Sequence, residues 1–177
     1  SLDLSAWMDM IICDYNYVFD PRVYLRRFFT ENAASYGFLV DEAHNLVDRA
    51  REMFSAELHK RQILDVRRSI GRDLPQIRSR LNKINGWLLA VRRARETGQN
   101  PYADASPPEA LYPLLHHFLR DAGAWLARNQ QTSFRRELLE LYFTVANFVR
   151  TADRYDHSYT TIYAADGKNV SIRLYCV

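Results

Sequence analysis

Cysteine is scarce in this chain: its 177 residues contain two, Cys13 and Cys176. Each lies in an apolar, strand-like run, and their separation fits no metal site. A disulfide framework and a cysteine-bound metal are therefore both excluded, and the composition is that of a reducing intracellular compartment. Both thiols are expected to behave as small buried hydrophobes. No run of roughly eighteen apolar residues occurs, so no segment is suited to span a bilayer as a helix. Residues Ser1 to Trp7 lack the basic start and apolar stretch of a signal peptide, and their abrupt beginning suggests a piece of something longer. No G-x-x-x-x-G-K-[ST] stretch is present, so there is no lysine and backbone cradle to hold a triphosphate. Strong net charge is also missing. The balance of +3 does not by itself argue for nucleic acid, and the distribution of charge has to be read instead.

What is present is ordinary for a globular protein: 47% hydrophobic and 25% charged residues. The length allows one sizeable core, or one domain with part of a second. Tyr36 to Val40 is a short apolar run that reads as a buried parallel strand, and it ends abruptly in Asp41 and Glu42. In an open α/β sheet, ligands bind outside the carboxyl ends of the strands. Two carboxylates placed there can hold a hydrated Mg²⁺ and activate a water molecule. The competing structural reading is that Asp41 and Glu42 only cap the next helix, favoured by its positive N-terminal dipole. Upstream, Met10 to Cys13 is a second candidate parallel strand, with Tyr15, Asn16 and Tyr17 as its exit loop. Asp20 before Pro21 predicts a helix from Pro21 to about Asn32. The unit is then strand, helix, strand, the crossover of a parallel sheet.

From Asn45 onward the period becomes helical. Asn45 to Ile70 reads as two helices broken near Ser55, and Leu74, Ile77, Leu81, Ile84, Leu88 and Val91 mark one side of a long helix. Gly98 to Pro108 reads as a polar, mobile loop. Further stripes start after Ser106 and near Thr132 or Ser133. Three or four helices with single stripes must bury them against one another, which predicts a bundle. From Ser158 the period falls to two, and Asp166-Gly167 between two β-like runs predicts a hairpin. Between Lys60 and Glu96 there are eleven Lys or Arg and three acids. Arg78, Lys83 and Arg93 lie away from the apolar stripe, and Arg67 and Arg68 flank that of the preceding helix. Such a face can track a phosphate backbone without sequence preference; the plainer reading is a solvated helix face. His116 and His117 have no partner at metal-binding spacing and read as surface or core histidines.

Asp41-Glu42-Ala43-His44, followed by Asn45-Leu46-Val47, resembles the Walker B box of superfamily 2 helicases. Met10 to Pro21, with its Tyr15-Asn16-Tyr17 and Asp20-Pro21, precedes it in the order found in iron–sulfur helicases of the XPD/DinG type. The resemblance covers the whole chain in order, although only its first third carries specific motifs. It implies an α/β fold that is mainly helical: residues 1–45 as part of a RecA-like motor domain, 46–157 as an Arch-like antiparallel helical bundle inserted into its parallel sheet, and 158–177 as a C-terminal hairpin returning to the motor domain. It implies unwinding of DNA in the 5′ to 3′ direction with ATP and Mg²⁺. Asp41 would bind Mg²⁺ through water, Glu42 would orient and deprotonate the attacking water, and His44 would couple nucleotide state to the DNA site. Tyr15, Asn16 and Tyr17 would touch the translocating single-stranded DNA, although a packed corner suits the tyrosines as well. The family's 4Fe–4S cluster needs four cysteines upstream of these residues. Without a triphosphate cradle, the chain alone is expected not to hydrolyse ATP. The alternative is a non-catalytic helical module that binds a protein partner or single-stranded DNA, with DEAH incidental. An upstream stretch with four spaced cysteines and a G-K-[ST] loop would separate the two.

Overall fold

A computed structural model describes residues 4–30, 36–94, 100–167 and 169–177, and the chain divides into two units, Ser1–Phe54 and Ser55–Val177. The first unit is made of short pieces. A 3-10 turn at Leu4–Trp7 is followed by α1 (Asn16–Phe19), α2 (Arg27–Thr30), a second 3-10 turn at Ala43–Asn45 and α3 (Leu46–Phe54). Neither expected parallel strand forms: Met10–Cys13 and Tyr36–Val40 take part in no ladder, and Leu39 is fully exposed. A parallel strand satisfies its N–H and C=O groups only between neighbours, and two runs this short are too little for a sheet. The RecA-like parallel sheet, and a bundle inserted into it, is therefore not formed among the described residues.

Ring packing pins the Tyr36–Val40 run instead. Phe29 stacks on Phe38 at 5.9 Å, and Phe28 meets Tyr36 edge-on at 5.9 Å. The helix expected from Pro21 to Asn32 is also replaced, by a turn at residues 21–23 and the single turn of α2; residues 31–35 lie outside the described set. Asp20 does cap, but on a short turn. Its buried carboxylate accepts the Arg22 N–H at 2.9 Å and the Arg22 guanidinium at 2.8 Å, which closes the chain locally rather than launching a helix.

The second unit begins with β1 (Ala56–His59), a strand where the sequence suggests only a helix break. It continues through α4 (Lys60–Ser69), α5 (Pro75–Ala94), β2 (Tyr102–Asp104), α6 (Tyr112–Leu126), α7 (Arg135–Ala152), β3 (Tyr159–Asp166) and β4 (Asn169–Cys176). The four strands form one antiparallel sheet in the order β1-β4-β3-β2. Its centre is the expected hairpin, closed by the pair Asp166 and Asn169 with Gly167 at φ 56°. Alternation along β4 buries Val170, Ile172 and Leu174, and the matching face of β1 buries Ala56 and Leu58. These meet the helical stripes in one core, where Ile77, Leu81, Ile84 and Leu88 of α5 join Leu115, Phe118, Leu141 and Phe148. The helical bundle is thus present, backed by a sheet of its own.

The loop expected to be mobile from Gly98 to Pro108 contains β2, and residues 98 and 99 lie outside the described set. Asn100 imitates a strand there. Its side-chain amide donates to the Ala165 carbonyl at 2.6 Å, and its side-chain oxygen accepts the Ala165 N–H at 2.9 Å.

Candidate DEAH turn and nucleic-acid interface

The extended run ends at Asp41, whose Oδ1 accepts the N–H of Glu42 at 2.8 Å. That bond occupies one of its two carboxylate oxygens. Glu42 takes a left-handed backbone, φ 50° and ψ 39°, and its carbonyl accepts the Asn45 N–H at 2.9 Å, which opens the 3-10 turn Ala43–Asn45. A side chain with a Cβ enters this region at a penalty of about 1–2 kcal/mol, and such residues cluster at functional sites. His44 Nε2 lies 3.3 Å from Glu42 Oε2. Both are exposed, so the pair orients the side chains more than it stabilises the fold.

A second motif comes to the same place. The Tyr15 hydroxyl donates to the carbonyl of Asp41, and the Arg49 guanidinium of α3 lies over the Tyr15 ring at 4.9 Å. Asp14 Oδ1 accepts the Asn16 N–H at 3.0 Å and starts α1, on which Asn16 and Tyr17 are exposed. Asp41, Glu42, His44 and Tyr15 therefore gather at one turn, although among the described residues no strand ends there. Nothing in the local sequence pattern signals the contact from Tyr15 to Asp41 or the role of Arg49. Cys13 is exposed and Cys176 half-buried, so the expected burial of both thiols does not hold.

Among the described residues no group of three or more His, Cys, Asp or Glu is arranged to hold a metal. Mg²⁺ in nucleotide sites uses one or two carboxylates, with waters and substrate phosphates completing the shell. Asp41 and Glu42 fit that chemistry, in which the cation arrives with its nucleotide. They do not fit a resident, fully protein-ligated metal.

On the basic helices the five candidate cations divide. Arg67 donates to Asn82 Oδ1 at 3.1 Å and ties α4 to α5, Arg68 pairs with Asp65 at 2.8 Å, and Arg78 donates to the Gly71 carbonyl. Lys83 and Arg93 are exposed on α5, about 15 Å apart along the axis at 1.5 Å per residue. Arg80, which sequence reasoning did not single out, is committed to Asp121 at 2.7 Å. His116 and His117 are surface residues. Among the described residues no helix is long and apolar enough to cross a membrane.

Residues 3–63 match the family model described as DEAD_2, a segment that takes in Tyr15, the DEAH turn and β1. Over 126 residues the chain is 28% identical to the Fanconi anemia group J protein homolog of Gallus gallus, a match covering 66% of this chain and 10% of that protein. The chain thus spans about a tenth of the length of this curated relative. Through residues 3–63 the chain is similar to a DEAD_2 segment, in line with the XPD/DinG-type resemblance of its motifs.

Proposed function

We infer that this chain supplies the DEAH box and the Arch-like helical bundle of an ATP-dependent DNA helicase that moves 5′ to 3′. The observation that carries this is the meeting of the DEAH turn with the Tyr15 loop inside the DEAD_2 segment. Bound Mg–ATP supplies the electrophilic phosphoryl group and the charge-neutralising cation. Asp41 would hold such a cation through a water molecule, and Glu42 would accept a proton from the attacking water. His44, at 3.3 Å from the Glu42 carboxylate, orients it and couples it to the DNA site. A 4Fe–4S cluster needs four thiolates, and the two cysteines of this sequence do not fit that requirement. Single-stranded DNA is guided by cations on the bundle, Lys83 and Arg93 first, and protein partners dock on its remaining faces. The 177 residues alone lack the triphosphate cradle and do not turn over ATP.

The test is Glu42→Gln in the full-length helicase, followed by steady-state phosphate release and unwinding of a 5′-tailed duplex. Loss of a general base predicts a fall in kcat of roughly 10²–10⁴-fold, with oligonucleotide binding retained. A variant that keeps more than half of the rate sinks this function. For the 177-residue chain by itself, phosphate release above the no-enzyme background would contradict its expected inactivity.

A further inference from the structure

Tyr15 precedes Asp41 by 26 residues, yet its hydroxyl reaches the Asp41 carbonyl. That carbonyl belongs to the peptide joining the two DEAH carboxylates. The N–H of the same peptide, from Glu42, is held by Asp41 Oδ1 at 2.8 Å. The peptide plane is thus gripped from both of its polar ends, immediately before a glutamate in the left-handed region. Rotating this peptide swings the Asp41 and Glu42 side chains relative to each other, so whatever sets its angle sets their spacing. The Tyr15 ring is held in turn. Arg49 lies over its face at 4.9 Å, and the Phe19 ring is tilted against it at 6.4 Å. A cation over an aromatic face and a hydroxyl bonded to a carbonyl are compatible anchors, one on the ring and one on its tip.

We propose that Tyr15 is a positioning residue, clamped by Arg49, that links the 14–17 loop to the DEAH turn so that events at the loop alter the placement of Glu42. The proposal rests on the hydrolytic role given to the DEAH box above. Tyr15 acts through the Asp41–Glu42 peptide and touches no reacting atom. Asn16 and Tyr17, exposed in the first turn of α1 directly after Tyr15, are the groups offered to a nucleic-acid strand. The hydroxyl-to-carbonyl bond is then the route by which strand occupancy reaches the carboxylates.

The experiment uses the full-length helicase with an unstructured oligonucleotide and compares Tyr15→Phe, Arg49→Ala, Arg49→Lys, the Tyr15→Phe/Arg49→Ala double variant and Glu42→Gln. Tyr15→Phe keeps the ring and removes only the donor. It should lower the DNA-stimulated kcat roughly tenfold, as expected for one lost orienting hydrogen bond, while KM for ATP and Kd for the oligonucleotide stay put. Arg49→Ala should lower kcat in the same way, Arg49→Lys should restore most of it, and the double variant should be no slower than Tyr15→Phe. Simple loss of folded protein would instead give additive effects and no lysine rescue. The proposal is overturned by an unchanged kcat in Tyr15→Phe, by a loss accounted for by weaker oligonucleotide binding, or by additive single variants. Glu42→Gln separates the two levels. If it leaves hydrolysis intact, the DEAH role fails and the proposal falls with it; if it abolishes hydrolysis while Tyr15→Phe does nothing, only the positioning role is wrong.

Discussion

Asp121 on α6 shows how one residue joins sequence charge to fold stability. Its side chain is only 6% exposed, and it accepts Arg80 Nε at 2.7 Å and Arg120 Nε at 3.1 Å. Burial pushes its pKa up, but the two guanidinium groups outweigh burial and hold the carboxyl below its ordinary 3.8. A depressed folded pKa contributes stability that is present above the unfolded value and is lost as pH falls through the folded one. The chain should therefore lose part of its stability below about pH 4 through this group. Asp121→Asn should be less stable at pH 7 by about 2–4 kcal/mol, since Arg80 is left half-paired in a mostly buried site. It should also lack that component of the acid loss. Thermal melts from pH 7 down to pH 3 check both, and parallel acid limbs in the two proteins would show that Asp121 is not the group responsible. At this same scale the candidate site was partly legible. Asp41, Glu42 and His44 follow from a contiguous motif, whereas Tyr15 meets Asp41 across 26 residues, beyond the reach of any local pattern. The basic residues illustrate the same limit, because Arg67 and Arg78 read as a free face and turn out to hold Asn82 and the Gly71 carbonyl.

Among the elements, legibility followed whether a signal was local. The α5 stripe and the hairpin were both readable, the first because Ile77, Leu81, Ile84 and Leu88 repeat on one face, the second because Gly167 must supply a positive φ. Strands β1 and β2 were missed, since four and three residues are too few to display a period and are strands only because β4 and β3 lie beside them. The opposite error came from the same cause. Met10–Cys13 and Tyr36–Val40 are apolar enough for buried strands, but pairing is decided by neighbours rather than by composition. The hairpin carries a prediction of its own. A Cβ on Gly167 would meet nothing within 4 Å, so space does not forbid it. The penalty is the backbone at φ 56°. Gly167→Ala should destabilise the second unit by about 1 kcal/mol with its denaturant m-value unchanged, and a neutral or stabilising result would mean that the turn relaxes to a different type.

At the level of the whole chain, the separation into Ser1–Phe54 and Ser55–Val177 has a thermodynamic side. Every residue of the main core cluster, from Ala56 to Leu174, belongs to the second unit, and so do all four strands. The sheet closes on that unit's own helices: β1 enters from its first residues, β4 leaves at its last, and the two are hydrogen-bonded neighbours. Both ends of the segment are thus stitched into one structure. A polypeptide of residues 55–177 should consequently fold by itself in one cooperative step, with coincident transitions by circular dichroism and tryptophan fluorescence. That unit also carries Lys83 and Arg93. If these exposed cations meet a phosphate backbone, the isolated unit should bind an oligothymidine with an affinity that falls as salt rises. The Lys83→Glu/Arg93→Glu pair should weaken binding at low salt and make the log–log salt slope shallower by about 1.4, at about 0.7 per phosphate contact on single strands. Folding without any salt-dependent binding would retain the domain and remove its basic helices from the DNA path. The charge on α4 and α5 would then serve contacts such as Arg67 to Asn82, which ties α4 to α5, and Arg80 to Asp121, which ties α5 to α6.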